Sequence, residues 1–273
     1  MNRSLKSFST LLLVSLAASH ALAQIQLIDS LPAGLSNRGI AFDPTTDHLV
    51  TCSDSEMLEL DLSGQFVGNL DGPCGFDFDV TGVPAGSMGA RTVVTTFGSF
   101  IRTFNLDDGS SSIVPGINSG NEQIARVTFD AGENQFIGFD GFFGRVYPVD
   151  VTGGRTVTQW FETSWSHQAF DILLASDTLY FGNQSQLFEI DKSGNELRTI
   201  DLAPLGLVGD IGGMSFDNDR GELWILGDND VITRWGGFAA VPEPSSWTLL
   251  FGCLVFGFLP RRFLRAKSRS LKR

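Results

Sequence analysis

The 273-residue chain is 42% hydrophobic, with 31 glycines, 23 phenylalanines and 3 cysteines. That is too apolar for a disordered chain, too poor in cysteine for a disulfide-built miniprotein, and long enough for one large domain or two small ones. The formal charge of −12 is unevenly spread, because residues 24–244 hold 31 acidic against 10 basic groups, a net −21 that repels nucleic acid and anionic lipid. Cations, sugars and basic proteins remain as partners.

Residues 1–23 open with Arg3 and Lys6, continue through an apolar run over 11–18, and end on Ala21-Leu22-Ala23 before Gln24. This is the pattern of a secretory signal peptide, which places the mature chain outside the cytoplasm from Gln24 onward. No cysteine follows the junction, so a lipoprotein anchor is not expected.

Residues 24–240 repeat. Gly39-Ile40-Ala41-Phe42-Asp43, Arg126-Val127-Thr128-Phe129-Asp130 and Gly213-Met214-Ser215-Phe216-Asp217 superimpose without gaps at intervals of 87 residues. Each phenylalanine is followed seven residues on by an apolar residue that opens a second strand: Leu49, Phe136 and Leu223. Half-interval beats fall at Val93 and Leu179, which makes the steps 44, 43, 43 and 44. A third strand with period-two alternation ends in an Asp-x-Ser/Thr-Gly turn at Asp61 to Gly64, Asp150 to Gly153 and Asp191 to Gly194. No sustained helical period occurs, so the domain is expected to be all β. Units of about 44 residues holding four short strands are blades, and five of them make a single β-propeller. The fifth unit ends after its third strand, residues 231–235, so the N-terminal segment from Ile25 to Pro32 is expected to supply its outer strand, with Ile25 to Ile28 lying beside that third strand. A Gly/Pro-rich insertion is expected from Gly82 to Gly89, ahead of the second strand of blade two.

After the domain come Val241-Pro242-Glu243-Pro244, an apolar run over residues 247–259, and Pro260-Arg261-Arg262 with five further basic residues to Arg273. Thirteen apolar residues make a helix of about 20 Å, short of the ~30 Å hydrocarbon layer, which suits a transient membrane helix better than a permanent anchor. The basic cluster would hold the C-terminus in the cytoplasm. This tail, residues 241–273, resembles the PEP-CTERM sorting signal of Gram-negative bacteria, with Pro242, Glu243, Pro244, Arg261 and Arg262 in the matching positions. The resemblance implies an exosortase-type sorting enzyme as partner, besides the secretory translocon, and delivery to the cell surface or extracellular polymer. The long extension after Arg262 departs from the pattern.

Candidate chemistry is sparse. Asp43, Asp130 and Asp217 stand where a tight turn needs a side chain to accept backbone N–H groups, and only secondarily where calcium could bind. The mature chain keeps two histidines, His48 and His167, and no nucleophile elbow, zinc-protease helix or phosphate loop occurs, so no catalytic residue, cofactor or metal is assigned. Polar residues expected at the mouth of the propeller channel are Asn37, Arg38, Asp77, Glu122, Arg126, His167 and Asp210. Cys52 and Cys74 are candidates for a disulfide in an oxidising compartment. The resulting expectation is a non-catalytic surface or matrix binding protein, its partner an extracellular polysaccharide or another surface protein, touching membrane only through residues 247–259 before processing. The alternative is a metal-dependent hydrolase resembling the calcium-dependent lactonase propellers, for which Glu122, Asn37 and Asp210 would have to converge.

Overall fold

The computed structural model describes residues 25–32, 37–53, 56–73, 80–82, 91–97, 100–114, 124, 126–130, 132–140, 144–150, 160–163, 171–175 and 177–238. The expected leader (residues 1–23) and the expected sorting tail with its apolar span (residues 241–273) lie outside them. Strand β1 (Gln26–Pro32) comes first. Blade one follows as β2 (Asn37–Asp43), β3 (His48–Ser53), β4 (Glu56–Leu60) and β5 (Phe66–Pro73). Blade two is β6 (Val80–Gly82), β7 (Thr92–Phe97), β8 (Phe100–Asn105) and β9 (Ser111–Ile113). Blade three is β10 (Arg126–Asp130), β11 (Gln135–Asp140), β12 (Arg145–Asp150) and β13 (Phe161–Glu162). Blade four is β14 (Asp171–Ala175), β15 (Thr178–Asn183), β16 (Gln186–Asp191) and β17 (Glu196–Asp201). Blade five joins β18 (Ile211–Asp217), β19 (Glu222–Gly227) and β20 (Val231–Gly236) to β1, in the order β1-β20-β19-β18. The protein is therefore an all-β propeller of five four-stranded sheets. The inner strands β2, β6, β10, β14 and β18 each neighbour the next around the ring.

The 44-residue beat has a packing cause. Leu49, Val93, Phe136, Leu179 and Leu223 occupy one register position, opposite Leu60, Phe104, Val149, Ile190 and Trp235 of the third strands. Each is followed by a second apolar residue: Val50, Val94, Ile137, Tyr180 and Trp224. Successive strand residues point to opposite faces, so one of each pair packs on the preceding blade and the other on the following one. The five buried clusters accordingly map one to each blade junction. Leu49 joins Trp224 and Leu226 of blade five, for example, while Val50 joins Val93 and Phe104 of blade two. Fully burying one such side chain contributes about 1.5–3 kcal/mol.

Inner strands share no ladder across a junction, so some of their N–H groups need other acceptors. The residue before the repeating phenylalanine supplies two of them. Ser215 Oγ accepts the Phe42 N–H at 2.7 Å and Thr128 Oγ1 accepts the Leu174 N–H at 3.1 Å, bonds that cross from blade five to one and from three to four. Backbones also come close where blades five and one meet, since a Cβ on Gly213 would lie 2.9 Å from the Gly39 Cα.

The Asp-x-Ser-Gly turns have a second role besides reversal. Gly194, at φ +87°, leaves room for Phe161 of the preceding blade, whose Cβ would be 2.8 Å from any Cβ there. Gly64, at φ +79°, accommodates Leu31 of β1 in the same way. The turn glycine thus answers both a left-handed backbone and a close neighbour.

Closure follows the expected route, over Gln26 to Pro32: Gln26 lies opposite Gly236 and Pro32 opposite Val231, with Ile25 just before the paired strand. A bulge falls between Leu27 and Asp29. It turns Leu27 toward the blade-four junction and Leu31 toward blade one, although their spacing of four would otherwise put both on one face. The same register shift recurs beside Glu59 in blade one and Glu189 in blade four. The unpaired residues are Ile28, Val67 and Leu197, exposed by 43%, 48% and 57%. In blade two, β6 runs to Gly82, which was expected to open the Gly/Pro-rich insertion; the rest of that insertion lies outside the described residues.

A chain beginning at Leu31 should melt about 10 °C below one beginning at Gln24, or aggregate, because it loses the clasp ladder and the buried Ile25. Thermal unfolding with light scattering measures this; equal stability of the two chains would remove β1 as the clasp.

Candidate functional site

The inner strands neighbour one another around the ring, and four of the expected polar residues fall at or beside their first positions. Asn37 and Arg38 begin β2, Arg126 begins β10, and Asp210 immediately precedes β18. Asp77, Glu122 and His167, expected beside them, lie outside the described residues. Asp210 is part of a reciprocal turn contact: its N–H donates to Asp228 Oδ1 at 2.9 Å, and the Asp228 N–H donates to its carbonyl at 2.9 Å.

Counting three back from Phe42, Phe129, Leu174 and Phe216, which share a register, gives Gly39, Arg126, Asp171 and Gly213. An arginine and an aspartate therefore hold equivalent places on adjacent inner strands, flanked by two glycines where blades five and one crowd together. Asp171 was not among the residues singled out from sequence. It is fully buried, accepts the Ile172 N–H at 2.8 Å, and accepts the Met214 N–H of β18 in a short hydrogen bond. The available signal was an acidic residue heading the apolar run Ile172-Leu173-Leu174, where burial demands a partner.

At the opposite ends of the inner strands the three repeating aspartates cap their turns. Asp43 Oδ1 accepts the Thr45 N–H at 2.9 Å, Asp130 Oδ1 the Gly132 N–H at 3.0 Å, and Asp217 Oδ1 the Asp219 N–H at 3.0 Å. Their second oxygens take cations. Arg91 of blade two reaches back to Asp43 Oδ2 at 2.6 Å and to Glu59 at 3.2 Å, and Glu59 also meets His48 Nδ1 at 2.9 Å. Lys192 of blade four contacts Asp130 of blade three and its own blade's Asp177, each at 2.7 Å. Arg220 of blade five pairs with Asp217 at 2.6 Å and makes a fork to Asp47 of blade one at 2.6 and 2.7 Å. These carboxylates are occupied by N–H groups and by straps between blades. Among the described residues no group of three or more His, Cys, Asp or Glu is gathered in a way that could hold a metal ion.

Burial alone would raise the Asp43 pKa, but the Thr45 N–H, Arg91 and the Thr46 hydroxyl outweigh it and hold the carboxyl below the usual range. Asp47 is lowered chiefly by the Arg220 hydrogen bonds, yet both partners are well exposed, so that fork contributes at most about 1 kcal/mol. Burial raises the Tyr180 phenol far above neutrality, and it remains an uncharged packing group between Phe216 and Phe238.

Cys52, in β3, is disulfide-bonded. Its expected partner Cys74 lies outside the described residues. No protein-family model matches the chain, and no curated protein matches it.

Replacing Arg91 by Met should cost about 1–3 kcal/mol at neutral pH, because it strips the cation from a buried carboxylate. The Asp43 pKa is depressed in the folded state. Its stabilising contribution is therefore present above the unfolded value near ~4 and lost as pH falls through the folded value. Urea unfolding from pH 7 down to pH 2 should show wild type and Arg91→Met converging in acid; a constant gap would place the loss elsewhere. Peptide mapping of the unreduced mature protein should recover Cys52 linked to Cys74, and a Cys52 peptide with a free thiol would refute the pairing.

Proposed function

We propose that the protein is an exported, non-catalytic binding protein of the cell surface or extracellular matrix, delivered by its C-terminal sorting tail. The observation that carries the reading is the order of that tail: Pro242-Glu243-Pro244, an apolar span too short for a comfortable permanent anchor, then Arg261-Arg262. The leader pattern at residues 1–23 agrees with it. A propeller scaffold serves binding and catalysis alike, so the fold does not choose between them. The acidic balance of residues 24–244 favours sugars, cations or basic protein surfaces over nucleic acid or anionic lipid. The partners of the route are the secretory translocon and an exosortase-type enzyme; those of the delivered domain are extracellular polysaccharide or another surface protein. The lactonase-like alternative would need Glu122, Asn37 and Asp210 to converge, and Glu122 lies outside the described residues.

Intact-mass measurement on surface-extracted protein should find a chain without residues 1–23 and without most of the tail beyond Pro244. A major species still carrying Arg273 would overturn the reading, as would an unchanged location for a chain with Pro242→Ala and Glu243→Gln.

A further inference from the structure

The chain contains a single aspartyl-prolyl bond, Asp43–Pro44, and it opens the turn between β2 and β3. The chemistry of such a bond is unusual. An aspartate carboxylate can attack its own backbone carbonyl carbon, and a proline nitrogen, which is fully substituted and carries no N–H, takes up a proton and departs more readily than an ordinary amide nitrogen. Asp130 and Asp217, which cap the equivalent turns, are followed by Ala131 and Asn218 and lack that leaving group.

The turn is arranged for this reaction except at one point. The Asp43 carbonyl oxygen accepts the Asp47 N–H at 2.9 Å, and a donor there stabilises the negative charge that attack places on that oxygen. Pro44 is exposed to water, and the Asp43 carboxyl, held below the usual range, stays an anion in mild acid. Its oxygens, however, are tied. Oδ1 accepts the Thr45 N–H at 2.9 Å, while Oδ2 accepts the Thr46 hydroxyl at 2.9 Å and the Arg91 guanidinium at 2.6 Å. The threonine donors belong to the turn itself, but Arg91 comes from blade two. That guanidinium also serves Glu59 and Asp107; Glu59 meets His48, and Arg220 of blade five reaches Asp47.

We propose that Asp43–Pro44 is a self-cleavage site restrained by Arg91, so that the chain cuts itself when blade two draws away from blade one. Asp43 Oδ2 bonds to the Asp43 carbonyl carbon, the bond from that carbon to the Pro44 nitrogen breaks, and the nitrogen takes a proton from solvent. Water then opens the cyclic anhydride left on Asp43, giving one chain that ends at Asp43 and another that begins at Pro44. One water is consumed, and nothing is oxidised or reduced. No cysteine precedes Cys52, so β1 and β2 would then sit on a peptide with no covalent link to the rest of the ring, held by the β1–β20 and β2–β3 ladders and their packing.

The test incubates the full-length chain in detergent at pH ~4 beside its Arg91→Met, Thr46→Val and Pro44→Ala variants. Intact mass follows the fragments ending at Asp43 and beginning at Pro44, and near-ultraviolet circular dichroism records which chains are folded at the start. Arg91→Met should be cut about tenfold faster than the native chain, Thr46→Val at an intermediate rate, and Pro44→Ala not at that position. The native chain unfolded in urea, which has lost the Asp47 donor, should be cut more slowly than folded Arg91→Met; the reverse order would mean that folding merely shields the bond, and would overturn the proposal. Absence of the cut from every chain, or equal rates in the native chain and both loosened variants, would overturn it too. If Arg91→Met does not fold, Thr46→Val takes its place in each comparison.

Discussion

A propeller is a ring of sheets that do not hydrogen-bond to one another through ladders, and everything else in this structure depends on making that ring shut. Five apolar junctions provide the adhesion, one for each pair of neighbouring blades. They hold only if the number of blades brings the last sheet back to the first. The β1–β20 ladder turns that geometric condition into a bonded one, joining the two ends of the chain within a single sheet. Its bulge lets one short strand contribute to the junctions on both sides, with Leu27 on one and Leu31 on the other.

The polar groups follow the same logic. Ser215, Thr128 and Asp171 take up backbone N–H groups of the next inner strand, and Arg91, Lys192 and Arg220 bring cations to the turn aspartates. Several residues with the chemistry of a site are thereby committed to holding blades together. At the starts of adjacent inner strands, Arg126 and Asp171 share an equivalent place, and Asp171 at least is committed to the same task.

Blade number, strand order and the identity of the clasp were legible in the sequence. Each second strand places two consecutive apolar residues at the same phase, and each such pair serves two junctions. The capping role of Asp43, Asp130 and Asp217 was legible too, because a turn is local and the N–H donors lie within three residues of the carboxylate. Their cations were not, since Arg91 is 48 residues from Asp43 and Lys192 is 62 from Asp130. Nothing local announces such a pairing. Asp171 escaped notice for the same reason: its donor on Met214 belongs to another blade. The bulge at Ile28 leaves no mark in composition, because it is a matter of register between strands far apart in sequence.

The register shifts at Ile28, Val67 and Leu197 recur on blades five, one and four, always in the outermost strand. Outer strands present their free edges to neighbouring molecules, and these edges carry apolar, strand-prone segments such as Phe66-Val67 and Leu197. A bulge breaks the regular alternation of donors and acceptors and twists the strand out of plane. Another molecule laid alongside can then match only a few consecutive rungs before falling out of step. Molecules crowded side by side would thus meet across edges that cannot knit into a continuous sheet, and each ring stays a discrete particle at high concentration.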